Sequence, residues 1–307
     1  MSVPTPDVPL APEMRFEVVH RTEYRYGKPM VDGYTVAHLL PRDTPWQTVE
    51  TAEVVVEPGY DERSELVDAF GNRVIRLGIH RPHDHLVLTG RCVVRASVPV
   101  IDLDQTAGSP PWDEVTALLR SARGDIAVEV GSFVAATGST PVSAELLELT
   151  DDVFVPGRPL LDVVARLSTR IHTALEFDPA FSDVSTPLAE VLRARRGVCQ
   201  DFAHLMLAAL RGHGLAGRYV SGYLETVPPP GQPKLAGTDA SHAWCGVWDP
   251  VLGWFDVDPT NDQLPPRRHV TCAWGRDYFD VAPVRGVVIG PMAPQTLHVG
   301  VDVTARS

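Results

Sequence analysis

Short runs of alternating apolar and polar residues fill the first third of the chain. Examples are Phe16-Glu17-Val18-Val19-His20 and Glu53-Val54-Val55-Val56-Glu57, and segments rich in turn-forming residues separate these runs. Alternation with a period of two is typical of half-buried β-strands, and many short strands divided by turns are typical of a β-sandwich. The pattern therefore predicts an N-terminal β-sandwich-like domain over residues 14–108.

A helical pattern replaces this alternation after Ser109-Pro110-Pro111-Trp112. Apolar residues recur at three- and four-residue spacing over residues 159–176, which predicts an amphipathic helix, and shorter helices are predicted at 115–121 and 144–149. The same spacing continues from Cys199 to about His213, where Gly212 and Gly214 end the pattern. We expect residues 109–303 to form a second domain that contains these helices.

The second domain also contains a predicted β-hairpin. Segments 241–248 and 254–258 are rich in aromatic and β-branched residues, and the Pro- and Gly-containing segment 249–253 between them predicts a turn. A hairpin centred on that turn brings His242 and Asp258 within one residue of direct opposition, roughly 5 Å apart at Cα. Asp256 is the competing carboxylate, because it shares a face with Asp258 and would lie opposite Trp244. A third strand is predicted at 218–224, followed by a surface loop at 228–239 that could shape a substrate cleft.

Cys199 is the candidate nucleophile of this domain. A cysteine reacts as its thiolate, and the unpaired N–H groups and positive dipole end of a helix N-terminus favour that anion. The same N–H groups can bind an oxyanion. His242 as the base and Asp258 as the group that orients the imidazole complete what cysteine-dependent acyl transfer needs. Asp201, in the same turn, is expected simply to complement the helix dipole.

Several segments of the chain resemble the bacterial transglutaminase-like family. The core segments are Gly197-Val198-Cys199-Gln200-Asp201-Phe202, Ser241-His242-Ala243-Trp244 and the stretch from Gly253-Trp254 to Asp258-Pro259-Thr260-Asn261. The likeness extends to the N-terminal β-region at His20-Arg21-Thr22-Glu23-Tyr24-Arg25-Tyr26, Leu40-Pro41-Arg42 and Phe70-Gly71-Asn72, and to the C-terminal part at Trp274-Gly275-Arg276-Asp277-Tyr278 and Pro283-Val284-Arg285-Gly286-Val287. The resemblance implies an α+β protein in which the N-terminal β-domain precedes a papain-like transglutaminase core. In that core, a helix bearing Cys199 packs on an antiparallel sheet bearing His242 and Asp258.

The resemblance also implies the kind of reaction. Cys199 would attack a carboxamide, of a glutamine side chain or of a peptide or isopeptide bond, and form a thioester that passes to an amine or to water. The family contains amide hydrolases as well as transferases, so the acceptor stays open. No cofactor is implied and no metal site is predicted, because no calcium-binding motif such as the D-x-[DN]-x-[DN]-G loop can be read in the chain.

The composition of the chain limits the classes of partner and the location that we expect. The 307 residues carry a formal charge of −12, which argues against nucleic acid as a partner. No apolar run approaches the roughly 20 residues of a membrane span, and the first twelve residues lack the features of a signal peptide, so a cytoplasmic location is expected. The four cysteines show no disulfide pattern. The expected partners are a protein or peptide substrate and, where the reaction is transfer, an amine acceptor.

Two other functions compete with this one. The chain could be a non-catalytic binding or assembly module that keeps the fold. Alternatively, Cys199, His242 and Cys245 could form part of a zinc site, although strand alternation turns His242 and Cys245 apart and no further ligand pair has suitable spacing.

Some nearby residues are predicted to be structural, and others have two competing roles. His204 is expected to be structural or at the surface. Trp244 could flank the site, but core packing is the usual role of such an aromatic residue. Arg276 and Asp277 are either an ion pair or a cleft wall. The Pro265-Pro266-Arg267-Arg268-His269 run is expected to be a solvated loop.

Overall fold

The structure is a computed structural model that describes residues 9–101, 108–226 and 240–306. The loop predicted at 228–239 lies outside the described residues. In the part of the chain that is described, no helix is both long enough and apolar enough to cross a membrane.

The N-terminal region contributes three strands to each of two four-stranded antiparallel sheets. Its strands are β1 (Met14–Met30), β2 (Asp32–Ala37), β3 (Gln47–Glu57), β4 (Glu62–Val67), β5 (Arg73–Ile79) and β6 (His83–Ala96). Ile75, Leu77, Val54 and Leu88, which come from both sheets, lie in one buried apolar cluster. Their inward positions are those that alternate with polar residues in the sequence, which is why the sandwich was predictable.

Two strands from the C-terminal end of the chain complete these sheets. They are β13 (Val284–Ile289), which pairs with β2, and β14 (Gln295–Arg306), which pairs with β1 from Arg15 to Tyr26. The sheet orders are β14-β1-β6-β3 and β13-β2-β5-β4. The prediction that residues 109–303 form one core therefore does not hold for these two strands, which pack with the N-terminal region.

The core lies between these two parts of the sequence and combines helices with a third sheet. Its helices are α1 (Trp112–Ser121), α2 (Gly124–Val130), α3 (Ala144–Thr150), α4 (Leu160–Ala174), α5 (Leu188–Ala194), α6 (Cys199–Gly212) and α7 (Tyr278–Val281). Its strands are β7 (Glu176–Phe177), β8 (Arg196–Gly197), β9 (Gly217–Leu224), β10 (Ala240–Asp249), β11 (Gly253–Val257) and β12 (His269–Gly275). The last four strands form an antiparallel sheet in the order β11-β10-β9-β12.

Helix α6 occupies the centre of the core. Every residue from 200 to 211 is buried, since α6 packs on β9 and β10 on one side and on α3, α4 and α5 on the others. A helix that is apolar on nearly all faces has to lie inside a protein. Burial of α6 therefore fixes the position of its first residue, Cys199, relative to the sheet.

Two side-chain amides of the N-terminal region bind the edge strand of the core sheet. Gln47 donates its Nε2 to the carbonyl of Thr271 and accepts the Thr271 N–H at Oε1, each at 2.8 Å. Asn72 makes the same pair of bonds with Trp274, donating at 2.8 Å and accepting at 2.9 Å. Strand β12 is a sheet edge, so these amides satisfy backbone groups that no neighbouring strand can reach.

Candidate active site

Cys199 is half-buried at the first position of α6. Its helix begins there because Asp201 accepts a hydrogen bond from the N–H of Val198 at 2.8 Å and another from the hydroxyl of Ser182. Burial raises the pKa of the Asp201 carboxyl, and these two hydrogen bonds offset only part of that effect. Asp201 is therefore a buried cap of α6, a more specific role than the predicted complement to the helix dipole.

The residue before this turn has to be glycine. A Cβ built on Gly197 would lie 2.7 Å from the Oδ2 atom of Asp201. Within the described residues, the N–H groups of Cys199 and Gln200 have no hydrogen-bond partner. Two backbone donors are therefore free beside the thiol, as expected for the first turn of a helix.

His242 lies on β10 with 7% of its surface exposed. Its Nε2 atom is 2.8 Å from Oδ2 of Asp258, and its side chain hydrogen-bonds to that of Cys199. Because Nε2 contacts the carboxylate, Nδ1 is the ring nitrogen available to the thiol. Burial lowers the pKa of His242, but the hydrogen bonds to Asp258 and Cys199 outweigh it and raise the pKa to about 10.

Asp258 is fully buried and accepts five hydrogen bonds from the described residues. Oδ2 accepts from the side chains of His242, His269 and Asn261, and Oδ1 accepts from the backbone N–H groups of Thr260 and Asn261. Burial raises the pKa of Asp258, but the hydrogen bonds from the two histidines outweigh it and hold the pKa well below its usual range. The site therefore favours the carboxylate form.

The hairpin is in place, but its register differs from the prediction. Gly246 pairs with Asp256, and the pairing ends at Cys245 and Val257. One further step would place Asp258 opposite Trp244, so His242 and Asp258 are diagonal neighbours on one face. Diagonal pairs are still within reach of long side chains, which is why the hydrogen bond forms.

His269 is the site residue that sequence reasoning missed. The run of prolines and arginines before it indicated a solvated loop, whereas His269 begins β12 and its side chain is only 4% exposed. Its Nε2 atom is 2.9 Å from the same Oδ2 of Asp258 that His242 contacts. The alternating pattern of residues 269–273 was the available signal for a strand.

His242, Asp258 and His269 are also residue types that bind metal ions, and their donor atoms lie within 4.8 Å of one another. The Nε2 atom of His242 and the Nε2 atom of His269 are each at direct hydrogen-bond distance from Oδ2 of Asp258. An ion would have to lie between atoms that already touch, so the arrangement fits hydrogen bonding better than metal binding.

Two other candidate residues, Cys245 and His204, make contacts within the core. Cys245 is buried and its thiol contacts the carbonyl of Ala203, so its predicted turn away from His242 is confirmed. His204 is buried and packs on Tyr219. Its role is therefore structural.

Arg276 and Asp277 do not form an ion pair with each other. Arg276 instead binds Asp280, with Nε 2.8 Å from Oδ2. Asp277 caps α7 by accepting the N–H of Phe279 at 2.9 Å. Both contacts are local to the end of the core sheet.

A cavity of about 1020 Å³ opens between the N-terminal region and the core, and Cys199, His242 and Asp258 are not among the residues that line it. Its walls include Trp274, which has the guanidinium of Arg42 at 3.3 Å and that of Arg218 at 3.8 Å from its ring centre. Asp256 also lines the cavity. Both parts of the chain therefore contribute to the walls of this cavity.

Fold and site together define the protein's class. A sandwich region joined to a papain-like core, with Cys199 at a helix start and His242 and Asp258 on the facing sheet, is the arrangement of transglutaminase-like and cysteine protease-like proteins. Family models agree: residues 16–95 match the bacterial transglutaminase-like N-terminal region, and residues 148–259 match the transglutaminase-like superfamily.

Relatives extend this likeness along the whole chain. An uncharacterized protein of Mycobacterium tuberculosis is 37% identical over 302 residues, covering 96% of this chain and 94% of the relative. One of Mycobacterium leprae is 32% identical over 293 residues, covering 94% and 98%. The chain therefore belongs to the transglutaminase-like superfamily, as the resemblance in its sequence indicated.

Two further comparisons concern fold and a local segment. A crystal structure of a candidate cysteine protease from Cytophaga hutchinsonii superposes with a TM-score of 0.74 at 19% identity, covering 97% of this chain and 92% of that one. This likeness shows the fold and confirms its predicted class. A protein-glutamine gamma-glutamyltransferase of Pseudomonas aeruginosa is 38% identical over 74 residues, which are 24% of this chain and 11% of that protein.

Proposed function

We propose that the protein is an enzyme that cleaves a carboxamide through a thioester on Cys199. The thiolate attacks the carboxamide carbon, and the carbonyl oxygen takes up the negative charge. His242, as an imidazolium, then gives its proton to the leaving nitrogen, so ammonia or an amine departs and the thioester remains. In the second half, His242 takes a proton from an amine or water that attacks the thioester, and Cys199 is released.

The observation that carries this proposal is the position of one imidazole between a thiol and a carboxylate. His242 hydrogen-bonds to Cys199 and, through Nε2, to Asp258. The raised pKa of His242 keeps the ring protonated at neutral pH, the form that stabilises a neighbouring thiolate. Asp258 is buried and accepts a hydrogen bond from His242, so it orients the ring.

The free backbone donors at the start of α6 supply the second requirement. The carbonyl oxygen of the attacked carboxamide would carry its negative charge next to the sulfur, where the N–H groups of Cys199 and Gln200 are available as donors. Donors that are already fixed in place stabilise such a charge without reorganisation, which is worth several powers of ten in rate at comparable sites.

The proposed substrate is a protein or peptide carboxamide, with a glutamine side chain as the first candidate. The local likeness to a protein-glutamine gamma-glutamyltransferase supports that choice. Transfer to an amine and hydrolysis by water are both consistent with the site. The acidic charge of −12 supports the view that nucleic acid is not the partner. Location in the cytoplasm stays a prediction.

The test is the pH dependence of Cys199 alkylation by iodoacetamide, in the wild type and in His242→Ala and Asp258→Ala. Fast alkylation well below about pH 8 that is lost in His242→Ala would establish the thiolate–imidazolium pair. Glutamine peptides, with and without an amine acceptor, would then be assayed for ammonia release.

The opposite result has a clear meaning. Alkylation that rises only near about pH 8.5, as for a free thiol, and that neither substitution changes would contradict the proposal. The non-catalytic binding module would then be the better account of the fold.

A further inference from the structure

We propose that His269 is a positively charged positioning residue, which neutralises Asp258 and thereby sets the pH range in which Cys199 becomes reactive. This inference rests on the proposed function, because it concerns the same three groups. It adds a fourth ionisable group that the Cys, His and Asp arrangement does not include.

The hydrogen bonds of His269 determine its protonation. Its Nδ1 atom lies 2.6 Å from the carbonyl oxygen of Arg267, and its Nε2 atom lies 2.9 Å from Oδ2 of Asp258. A carbonyl oxygen and a carboxylate oxygen are both acceptors, so each ring nitrogen has to carry a hydrogen. An imidazole with two N–H groups is a cation. A neutral ring would place a lone pair against one of these oxygens.

Among the described residues, Asp258 is the acid that the His269 ring contacts directly. Asp258 follows β11 and contacts the ring directly, while β10 presents His242 with ring centres 5.5 Å apart and the edge of Trp244 at 5.0 Å. On the outer side, Arg268 and Glu225 pair with each other. The ring therefore pairs with Asp258 in a buried place that excludes most solvent.

This pair changes the charge balance of the site. Without His269, the buried carboxylate would act on His242 alone. With the His269 cation present, Asp258 is neutralised whether Cys199 and His242 carry their charges or not. A positive charge near the site also makes the thiolate form at lower pH, since it stabilises the negative product of thiol ionisation. His269 thus extends the pH range in which Cys199 is reactive toward lower pH.

The direct test is 15N NMR of the histidine side chains in the wild-type protein at neutral pH. We expect both ring nitrogens of His269 to show the shifts of protonated nitrogens, with the signals assigned by their loss in His269→Gln. A spectrum with one protonated and one unprotonated nitrogen would overturn the inference. This measurement needs no substrate, and triple-resonance assignment replaces the variant if it does not fold.

The functional test is the pH at which Cys199 becomes reactive toward iodoacetamide. In His269→Gln, the amide can still donate to Asp258 but carries no charge, so we expect the midpoint to rise by about one pH unit. An unchanged midpoint in a folded variant would refute the electrostatic role.

The matched control is His204→Gln. His204 is also a buried histidine and lies on α6, but burial lowers its pKa to about 4, so its replacement removes no charge at neutral pH. We expect its alkylation midpoint to match the wild type. If wild-type Cys199 itself titrates as a free thiol, the proposed function fails, while the NMR result still decides the charge of His269.

Discussion

Trp244 donates its indole N–H to Oδ2 of Asp256 at 3.0 Å. The other oxygen of Asp256 lies 3.3 Å from the guanidinium of Arg218. Asp256, the competing carboxylate of the hairpin, is therefore already bound within the core sheet, whereas Asp258 hydrogen-bonds to His242. Two acidic residues that share a strand face therefore have different roles.

Replacing Trp244 with Phe should destabilise the protein but leave the thiol reactive. The ring would still pack on His242, but Asp256 would lose one donor, at a cost of about 1–2 kcal/mol because the carboxylate is partly exposed. Urea unfolding would measure the change, with Trp254→Phe as control. Trp254 also donates to an acid, Glu129, and is itself partly exposed, so a smaller loss is expected there. Loss of Cys199 alkylation in a folded Trp244→Phe protein would contradict this assignment.

The native protein should take up one alkyl group. Cys92, Cys245 and Cys272 are buried, and burial raises the pKa of each of these thiols. Cys199 is the half-buried one, so mass spectrometry after brief treatment with iodoacetamide should show a single adduct, which Cys199→Ala abolishes. Denatured protein should take up four. Two or more adducts on the folded protein would show that another thiol is accessible.

Asp258→Asn should reduce turnover strongly. The amide cannot accept the five hydrogen bonds that converge on Asp258, so His242 loses both its orientation and the charge that stabilises its cation. At comparable sites, loss of this group reduces rates by roughly 10²- to 10⁴-fold. Asp256→Asn is the matched control, since it alters a neighbouring acid that does not touch His242. Equal losses in both variants would argue against the distinct role of Asp258.

Stability should depend on pH through His242. Its pKa in the folded protein, about 10, lies above the unfolded value of 6.5, so its protonation stabilises the fold below pH 6.5 and that contribution is lost as pH rises toward 10. The unfolding free energy of the wild type should therefore fall relative to that of His242→Gln as pH rises from 7 to 10. Urea unfolding at several pH values would show this.

His204 gives the opposite sign and serves as the control. Its pKa is lowered to about 4, so its contribution is present above pH 6.5 and is lost as pH falls toward 4. The difference between wild type and His204→Gln should stay constant from pH 7 to 10. A parallel change in both variants over that range would assign the effect to another group.

Much of this arrangement was predictable because it is local. Helix α6 follows from the spacing of apolar residues, and the turn at 249–253 follows from its Pro and Gly. The alternation of side chains along a strand is enough to predict that Cys245 faces away from His242. The hairpin register was not fixed by these signals, since the exact turn geometry decides which residues pair. His269 was missed because its partner, Asp258, reaches it across the sheet from another strand. The side-chain amides of Gln47 and Asn72 bind a strand distant in sequence, which no local pattern reveals.

Asn72→Leu should destabilise the protein through β12. The N–H and carbonyl of Trp274 would lose their partners in a buried place, at about 1–3 kcal/mol for each group. Asn72→Asp should cost at least as much, because its carboxylate cannot donate to the Trp274 carbonyl and would lie against Asp68, whose Oδ2 accepts the Asn72 amide at 2.9 Å. Thermal unfolding of both variants would rank them. A neutral effect of Asn72→Leu would mean that solvent reaches these backbone groups.

The pairing of β1 with β14 places a limit on when the protein can assemble during its synthesis. Arg15 and Arg306 are partners in one ladder, so the outer strand of that sheet is missing until residues 295–306 have left the ribosome. Contacts between such distant parts of a chain form late in folding. Gln47 lies in that sheet, and Asn72 directly precedes β5 of the other sheet, which the late strand β13 completes. These two amides hold the strand that begins with His269. A nascent chain would therefore emerge with its thiol long before the surroundings that make the thiol reactive are complete.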